Sequence, residues 1–360
     1  MNRKFSKFYA IICTLLLATG FLLAFYFAWK KDIDAIIECL IGLVIGFVFS
    51  PILHELGHIA FAKANGMRIV HAKFFCFQLT EKKNKLSLSF ASPFAPDLTQ
   101  VLPEKSGNMQ KRAIRYTLGG LIVGGAFFVV ILVCAVLCSV LGATNFTLWG
   151  ILPCAGYLFL LNALPVEYGS GKTDALVYKG LKKGYDAEKT MLSAMEIQGK
   201  LSEGYGFSEI DEKWYYDLPT LCEDEPLFSV MLDLRYRYHL EKGEIEKASD
   251  ALNRLASVEP YLPLSEVEKI ASELVYMHAL FGDLQSAEQN GAVCKNLLQS
   301  DSATSKRILA TFALACGKTD EAQILKEQGA RALDSERIAG VKKFESILLS
   351  RIKTEEKGTN

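Results

Sequence analysis

The sequence lacks an excess of charge of either sign, because 40 Lys and Arg residues balance 40 Asp and Glu residues. Proteins that bind nucleic acid usually carry a basic patch with interleaved aromatic residues, and no stretch of this chain has that composition. We therefore expect no nucleic-acid partner.

The nine cysteines lack the paired spacing that marks a disulfide framework or a cysteine-rich zinc site. Several stand singly inside apolar runs, among them Cys13, Cys39 and Cys154. This pattern is typical of small hydrophobic residues in a reducing compartment. Cys134 and Cys138 lie one helical turn apart, which we interpret as helix packing.

Charged residues are scarce in four long apolar segments of the first 165 residues, namely 8–29, 36–62, 117–141 and 146–165. Each has about the 20 residues that an apolar helix needs to cross a bilayer. Arg3, Lys4 and Lys7 precede the first segment, as in a signal peptide, but its apolar stretch is too long and lacks a small-residue cleavage site. We expect four transmembrane helices, with the first retained.

The distribution of Lys and Arg predicts the orientation of these helices. Three such residues precede the first segment, and ten lie between Lys63 and Arg115. Between the first two segments the only Lys or Arg residues are Lys30 and Lys31, and the loop at 142–145 has no Lys or Arg. We predict a multi-pass cell-membrane protein with both termini in the cytoplasm, so that the second and fourth helices end at the same face.

The second segment ends in the residues SPILHELGH, at 50–58. In a helix His54 and His58 lie on one face and can bind one ion, while Glu55 can reach a water on that ion. Ionisable residues are costly inside a membrane and usually mark a functional site. We therefore predict one Zn²⁺ held by His54 and His58, with Glu55 as the general base.

Catalytic zinc normally has three protein ligands and an open position. The predicted topology points to the end of the fourth segment, where the chain reads LNALPVEYGSGKTDALVYKG at 161–180. Asp174 is the first candidate for the third ligand and Glu167 the second. The GSGKT stretch there resembles a phosphate-binding loop, but Val166 stands where that motif needs glycine.

The combination of His54-Glu55-Leu56-Gly57-His58 with Asn162-Ala163-Leu164-Pro165 and Asp174 resembles the site-2 protease family of intramembrane zinc metalloproteases. The resemblance covers roughly residues 36–180. It implies that His54, His58 and Asp174 are the zinc ligands and that Glu55 is the base. It also implies that Asn162 binds substrate backbone and that Pro165 ends the helix.

Two shorter patterns complete the first half of the chain. The glycines of GGLIVGG, at 119–125, are spaced for close helix packing in a membrane, and we assign no chemistry to them. Leu86, Leu88 and Phe90 alternate with serines after TEKKN, which predicts a small cytosolic β-hairpin. This hairpin either is structural or offers an edge for an extended substrate.

The second half of the chain is charged and amphipathic, and it contains a weak repeat. Glycine is followed five residues later by alanine at Gly243 and Ala248, at Gly282 and Ala287, and at Gly317 and Ala322. The spacing of 39 and 35 residues is similar to that of tetratricopeptide repeats. We predict a helical repeat domain that either binds a peptide or regulator or forms a plain helical bundle.

The fold class predicted from these patterns is mainly α, with a transmembrane zinc peptidase domain at 1–175 and a cytosolic helical domain at 176–360. The expected function is zinc-dependent cleavage of a membrane-anchored protein or peptide near the cytoplasmic face of the lipid bilayer. The alternative is a membrane-tethered scaffold with a vestigial metal site.

Overall fold

The computed structural model describes residues 3–82, 85–92, 98–168 and 171–353. The chain is mainly helical and divides into two compact units. The first comprises Met1–Leu102 and Asn108–Glu188, and the second comprises Pro103–Gly107 and Lys189–Asn360.

Helices dominate the first unit, and four helices of its described residues are long and apolar enough to cross a membrane. Many of their large apolar side chains are exposed. The helices and strands of this unit are α1 (Arg3–Lys31), α2 (Ile33–Ala64), β1 (Met67–Phe74), β2 (Phe77–Lys82), β3 (Lys85–Phe90), β4 (Leu98–Pro103), α3 (Met109–Val140), α4 (Phe146–Ala163), β5 (Glu167–Tyr168), β6 (Gly171–Lys172) and α5 (Asp174–Lys183).

Glycine lets α2 approach both of its long neighbours closely. A Cβ at Gly57 would meet the backbone carbonyl of Gly119 on α3, and one at Gly42 would meet that of Thr147 on α4. Small residues at such crossings allow the backbone contact by which membrane helices pack. The predicted packing role of the glycine-rich stretch therefore holds for Gly119.

The sheet has four strands in the order β3-β2-β1-β4, which is larger than the hairpin that the sequence predicts. The predicted hairpin is present as β2 and β3, with Leu79 opposite Leu88. A third strand, β1, precedes this hairpin and pairs with β2, because the chain turns at Phe75, whose φ is +54°. A left-handed phenylalanine is rare, so the sequence gives no sign of this turn.

The second unit contains α6 from its fourth residue onward and the nine helices that follow. Their bounds are α6 (Asp186–Ser202), α7 (Lys213–Tyr216), α8 (Pro226–Lys242), α9 (Ile245–Ala256), α10 (Leu264–Leu280), α11 (Leu284–Val293), α12 (Lys295–Leu298), α13 (Ala303–Ala315), α14 (Thr319–Ala332) and α15 (Ala339–Arg351).

The predicted repeat segments form turns that each connect two helices packed against one another. These helix pairs are α8–α9, α10–α11 and α13–α14. In each turn the glycine has positive φ, at +80° for Gly243, +76° for Gly282 and +75° for Gly317. The alanine five residues later is fully buried in all three. The glycine thus reverses the chain, and the alanine leaves room where the paired helices meet. The likeness to tetratricopeptide repeats stays a prediction.

A buried ionic cluster crosses the core of the second unit. Arg307 is fully buried and donates hydrogen bonds to Glu273 and Glu345, each at 2.8 Å. Tyr236 donates a further bond of 2.7 Å to Glu273. The cluster joins α8, α10, α13 and α15, since each helix contributes one of these residues.

Candidate metal centre

His54, Glu55 and His58 lie on α2, and all three are buried, with exposed fractions of 6%, 7% and 6%. The two imidazoles are four residues apart and so face the same side of the helix. Their ring centroids are 4.9 Å apart and the rings are nearly perpendicular. Burial of two imidazoles and a carboxylate within one turn is costly unless they have partners or hold an ion.

Asp174 is the first residue of α5, and its neighbour Thr173 fixes where that helix begins. The Thr173 hydroxyl accepts a hydrogen bond from Leu176 N and donates one of 2.7 Å to Leu164 O. One buried side chain therefore caps α5 and binds it to the end of α4. Of the stretch that resembles a phosphate-binding loop, Thr173 forms this cap and Lys172 pairs with Glu188 at 3.0 Å, while Gly169 and Ser170 lie outside the described residues.

The carboxylate of Asp174 meets both imidazoles. Its Oδ2 lies 3.1 Å from His54 Nε2 and 3.3 Å from His58 Nε2, and the three ligand atoms lie within 4.8 Å of one another. Bonds of about 2.0–2.1 Å to a tetrahedral ion would separate such donors by roughly 3.3 Å. The three residues could therefore hold a metal ion.

Two further observations concern the carboxylate of Asp174. Oδ2 of Asp174 is buried, yet neither imidazole meets it with the geometry of a hydrogen bond. Burial alone would raise the pKa of Asp174, but the adjacent imidazoles of His54 and His58 lower it to about 2. The carboxylate is thus ionised at neutral pH, as a metal ligand must be.

The backbone of α3 determines which nitrogen of His58 faces the site. His58 Nδ1 lies 3.0 Å from the carbonyl oxygen of Tyr116. A carbonyl only accepts hydrogen bonds, so Nδ1 carries a proton and Nε2 is the nitrogen that faces Asp174. Outer hydrogen bonds of this kind orient metal-binding histidines.

Glu55 is held by a strand rather than by its own helix. Thr99 on β4 donates a hydrogen bond of 2.6 Å to Glu55 Oε2. Tyr116 in turn donates its phenolic proton to the carbonyl oxygen of Thr99, at 2.5 Å. Tyr116 therefore connects the candidate base to the candidate ligand His58, through its hydroxyl at one end and its carbonyl at the other.

Gly120 forms the wall of the site on α3. A Cβ there would collide with His58 Nε2 and would lie 2.7 Å from His54 Cε1. The spacing of the glycines predicts only helix packing, because spacing alone does not distinguish Gly120 from its neighbours. Thr99 and Tyr116 are not predictable either, since nothing near them in the sequence signals a contact with α2.

The remaining candidates lie as follows. Glu167 is exposed on β5 and is not a member of the His54, His58 and Asp174 group. Asn162 lies in the last turn of α4 and donates its amide back to Leu158 O at 3.2 Å. Pro165 follows the end of α4 at Ala163 by two residues, as expected of a residue without an N–H.

The three other histidines have local partners. His71 contacts Thr80 across the β1–β2 pair. His239 pairs with Glu244 and His278 with Asp283, each across a glycine turn of the second unit.

No protein-family model, curated protein or solved structure matches the chain. The functional interpretation therefore rests on the residues and geometry described above.

Proposed function

We propose that the protein is a zinc-dependent intramembrane endopeptidase of the site-2 protease type. The observation that carries this proposal is the convergence of His54, His58 and Asp174, from two distant segments, on a space that an ion would fill. Glu55 lies next to that space, on the same helix as the two histidines. Its carboxylate accepts a hydrogen bond from Thr99 and is not one of the three candidate ligands. Three ligands and a separate carboxylate are the residue set of hydrolytic zinc enzymes.

Zinc is the proposed ion because two imidazoles and one carboxylate suit it. When bound, it would polarise the scissile carbonyl and lower the pKa of the attacking water. Asp174 is ionised at neutral pH, as binding requires, and His58 presents Nε2 to the site because its Nδ1 faces the carbonyl of Tyr116.

Glu55 has the position of the general base and acid. It would take a proton from the water that adds to the carbonyl carbon and deliver that proton to the leaving amide nitrogen as the C–N bond breaks. Thr99 holds one carboxylate oxygen, which leaves the other to face the reacting water. Burial of Glu55 excludes competing solvent from this exchange.

The proposed substrate is a membrane-anchored protein or peptide, because the candidate site lies near the end of a helix that is apolar enough to span a bilayer. Such a substrate must be unwound, and its backbone then needs new partners. β3 forms one edge of the sheet, and Leu86, Leu88 and Phe90 on it are exposed. An extended segment could add to that edge by β-augmentation.

We place the protein in the cell membrane with both termini in the cytoplasm, on the distribution of Lys and Arg in its loops. Cleavage would then occur near the cytoplasmic face. The helical pairs of the second unit are the proposed site for a peptide or regulator.

The function is tested with full-length protein in liposomes that also carry a panel of single-span model substrates. Glu55→Gln should lower cleavage by about 10²–10⁴-fold while zinc content stays at one per chain. Asp34→Asn, an exposed acid on the same helix, is the control and should cleave normally.

Unchanged cleavage by Glu55→Gln would refute the assigned base. Zinc bound by a wild-type protein that cleaves no member of the panel would favour the alternative, a membrane-tethered scaffold with a vestigial metal site. Co-purification with Glu55→Gln would then identify either a trapped substrate or a scaffold partner.

A further inference from the structure

A groove of about 760 Å³ runs between α1, α3 and α4 of the first unit. Its residues on α1 extend from Cys13 to Lys31, a length of about 27 Å at 1.5 Å per residue. This is close to the thickness of the hydrocarbon core of a bilayer. The groove does not include the candidate metal ligands or Glu55.

Apolar and charged residues line different parts of the groove. Leu16, Gly20 and Phe27 on α1 and Leu152 and Gly156 on α4 are typical of its apolar body. Both of its charged residues, Lys30 and Lys31, lie at one end.

Two hydroxyl residues, Ser139 and Thr144, line the same end of the groove as the lysines. Lys31 Nζ lies 5.9 Å from the ring of Phe146, so the first turn of α4 also meets this end. An apolar body with a basic, hydroxyl-bearing end matches a molecule with an acyl chain and an anionic head.

Neither lysine forms a salt bridge with an acid of the described residues. Asp32 instead accepts a hydrogen bond from Ala35 N as the cap of α2, and Glu38 accepts one from Phe146 N. Among the described residues that line the groove there is no Asp or Glu. Two positive charges at the end of an apolar groove therefore lack a matching anion within it.

The charge of the groove distinguishes between two occupants. A transmembrane helix is apolar over the length that crosses the bilayer, and it brings no anion of its own to Lys30 and Lys31. A phospholipid has both an apolar and an anionic part. Acyl chains are thin and flexible, and each buried CH₂ contributes to binding.

We propose that this groove is a binding site for an acidic phospholipid, with its acyl chains along α1 and α4 and its phosphate at Lys30 and Lys31. The proposal rests on the four apolar helices spanning a bilayer, and it does not depend on proteolysis or on the metal. Its readout is lipid binding, so its outcome is independent of the function proposed above.

The test measures lipids retained by the full-length protein in native mass spectra, after exchange into mixed micelles of phosphatidylglycerol and phosphatidylcholine with identical acyl chains. The wild type should retain phosphatidylglycerol in preference. Lys30→Gln/Lys31→Gln should weaken its retention about tenfold, since each lysine near a phosphate contributes to the attraction.

The matched control is Lys182→Gln/Lys183→Gln. These lysines also end a helix, and Lys182 lies over the ring of Tyr178 as Lys30 lies over that of Tyr26. They do not line the groove, so phosphatidylglycerol retention should be unchanged.

A second pair of variants tests the apolar body. Leu16 lines the groove and its neighbour Leu15 does not, although both are exposed. Leu16→Trp should reduce retention of both lipids, while Leu15→Trp should not. Equal retention of the two lipids by the wild type would overturn the proposal, and so would lysine variants that retain phosphatidylglycerol fully. Displacement of bound lipid by a neutral single-span peptide would assign the groove to a helix instead.

Discussion

The hydroxyl of Thr99 donates a 2.6 Å hydrogen bond to Oε2 of Glu55, across 44 residues of chain. The bond ties the sheet to the helix that carries both candidate histidine ligands. Thr99 is itself buried, and its carbonyl oxygen is held by Tyr116. The carboxylate proposed as the base is therefore oriented from outside its own helix.

Thr99→Val should lower cleavage of a model substrate by about 10–100-fold, because the valine keeps the volume but loses the bond that orients Glu55. Zinc content should not change, since Thr99 contacts no candidate ligand. Thr99→Ser retains the hydroxyl and should restore most of the activity. Cleavage that is equally poor in the serine variant would show that Thr99 acts through packing alone.

Gly120→Ala should abolish metal binding, because the added methyl would occupy the space between the two imidazoles. Zinc per chain, measured by elemental analysis after equilibration with the ion, should fall from one toward zero. Gly124→Ala is the control on the same helix, since its Cβ would lie at an ordinary 3.5 Å from His54 Nδ1. A fully loaded Gly120→Ala variant would contradict the described geometry.

Loss of a residue that only hydrogen-bonds to a metal ligand weakens metal binding by up to roughly 100-fold. Asp174→Asn removes a candidate ligand itself and should weaken zinc binding by more than that. The exposed Glu167 offers the comparison, and Glu167→Gln should bind zinc like the wild type. Competition with a chelator measures both affinities. The reverse order of the two variants would make Glu167 the third ligand.

The ionic cluster of the second unit predicts a loss of stability in acid. Burial alone would raise the pKa of Glu273, but Arg307 and Arg237 outweigh it, so the pKa is lowered. A carboxylate whose pKa is lower in the folded state stabilises it above the unfolded pKa of about 4.3. This contribution is lost as the pH falls through the folded value. Urea midpoints between pH 3 and 7, followed by fluorescence of Trp214 with the other two tryptophans replaced, should therefore decrease toward acid.

Glu273→Gln should remove this acid dependence and cost about 3–5 kcal/mol at neutral pH, because it leaves Arg307 buried without its full complement of charge. Glu266→Gln breaks an exposed pair with Lys269 on the same helix and should cost under about 1 kcal/mol. Equal urea midpoints for the two variants would show that the buried cluster stabilises the second unit no more than an exposed ion pair does.

Gly282→Ala should destabilise the second unit by about 1–2 kcal/mol, because alanine is strained at a φ of +76°. The cost is one of backbone alone, since no atom lies within 4 Å of the added Cβ. Gly291→Ala lies inside α11 and should instead stabilise by about 0.5–1 kcal/mol. Urea midpoints measure both changes in stability. Midpoints that shift in the same direction for the two variants would contradict the turn assigned to Gly282.

Much of the candidate site could be predicted from the sequence because its signals are local. Two histidines at helical spacing inside an apolar run specify both their common face and their burial. Asp174 was predictable as well, since the topology predicted from Lys and Arg brings the end of the fourth helix to the same face. The structure places its carboxylate against both imidazoles and leaves Glu167 exposed.

What could not be predicted depends on contacts between remote segments or on unusual backbone. Thr99 and Tyr116 reach α2 from 44 and 58 residues away, and no spacing rule connects them to it. The turn at Phe75 occurs without glycine or proline, so the sequence does not mark where β1 ends. The short strand β4 lacks an alternating pattern that would mark it.

The backbone contact between Gly57 and Gly119 couples α3 to the candidate metal centre. Gly57 lies between the two candidate histidine ligands on α2, and α2 and α3 touch there with no side chain between them. The carbonyl of Tyr116 on α3 also meets Nδ1 of His58. A tilt of α3 against α2 would therefore turn an imidazole as well as separate two helices.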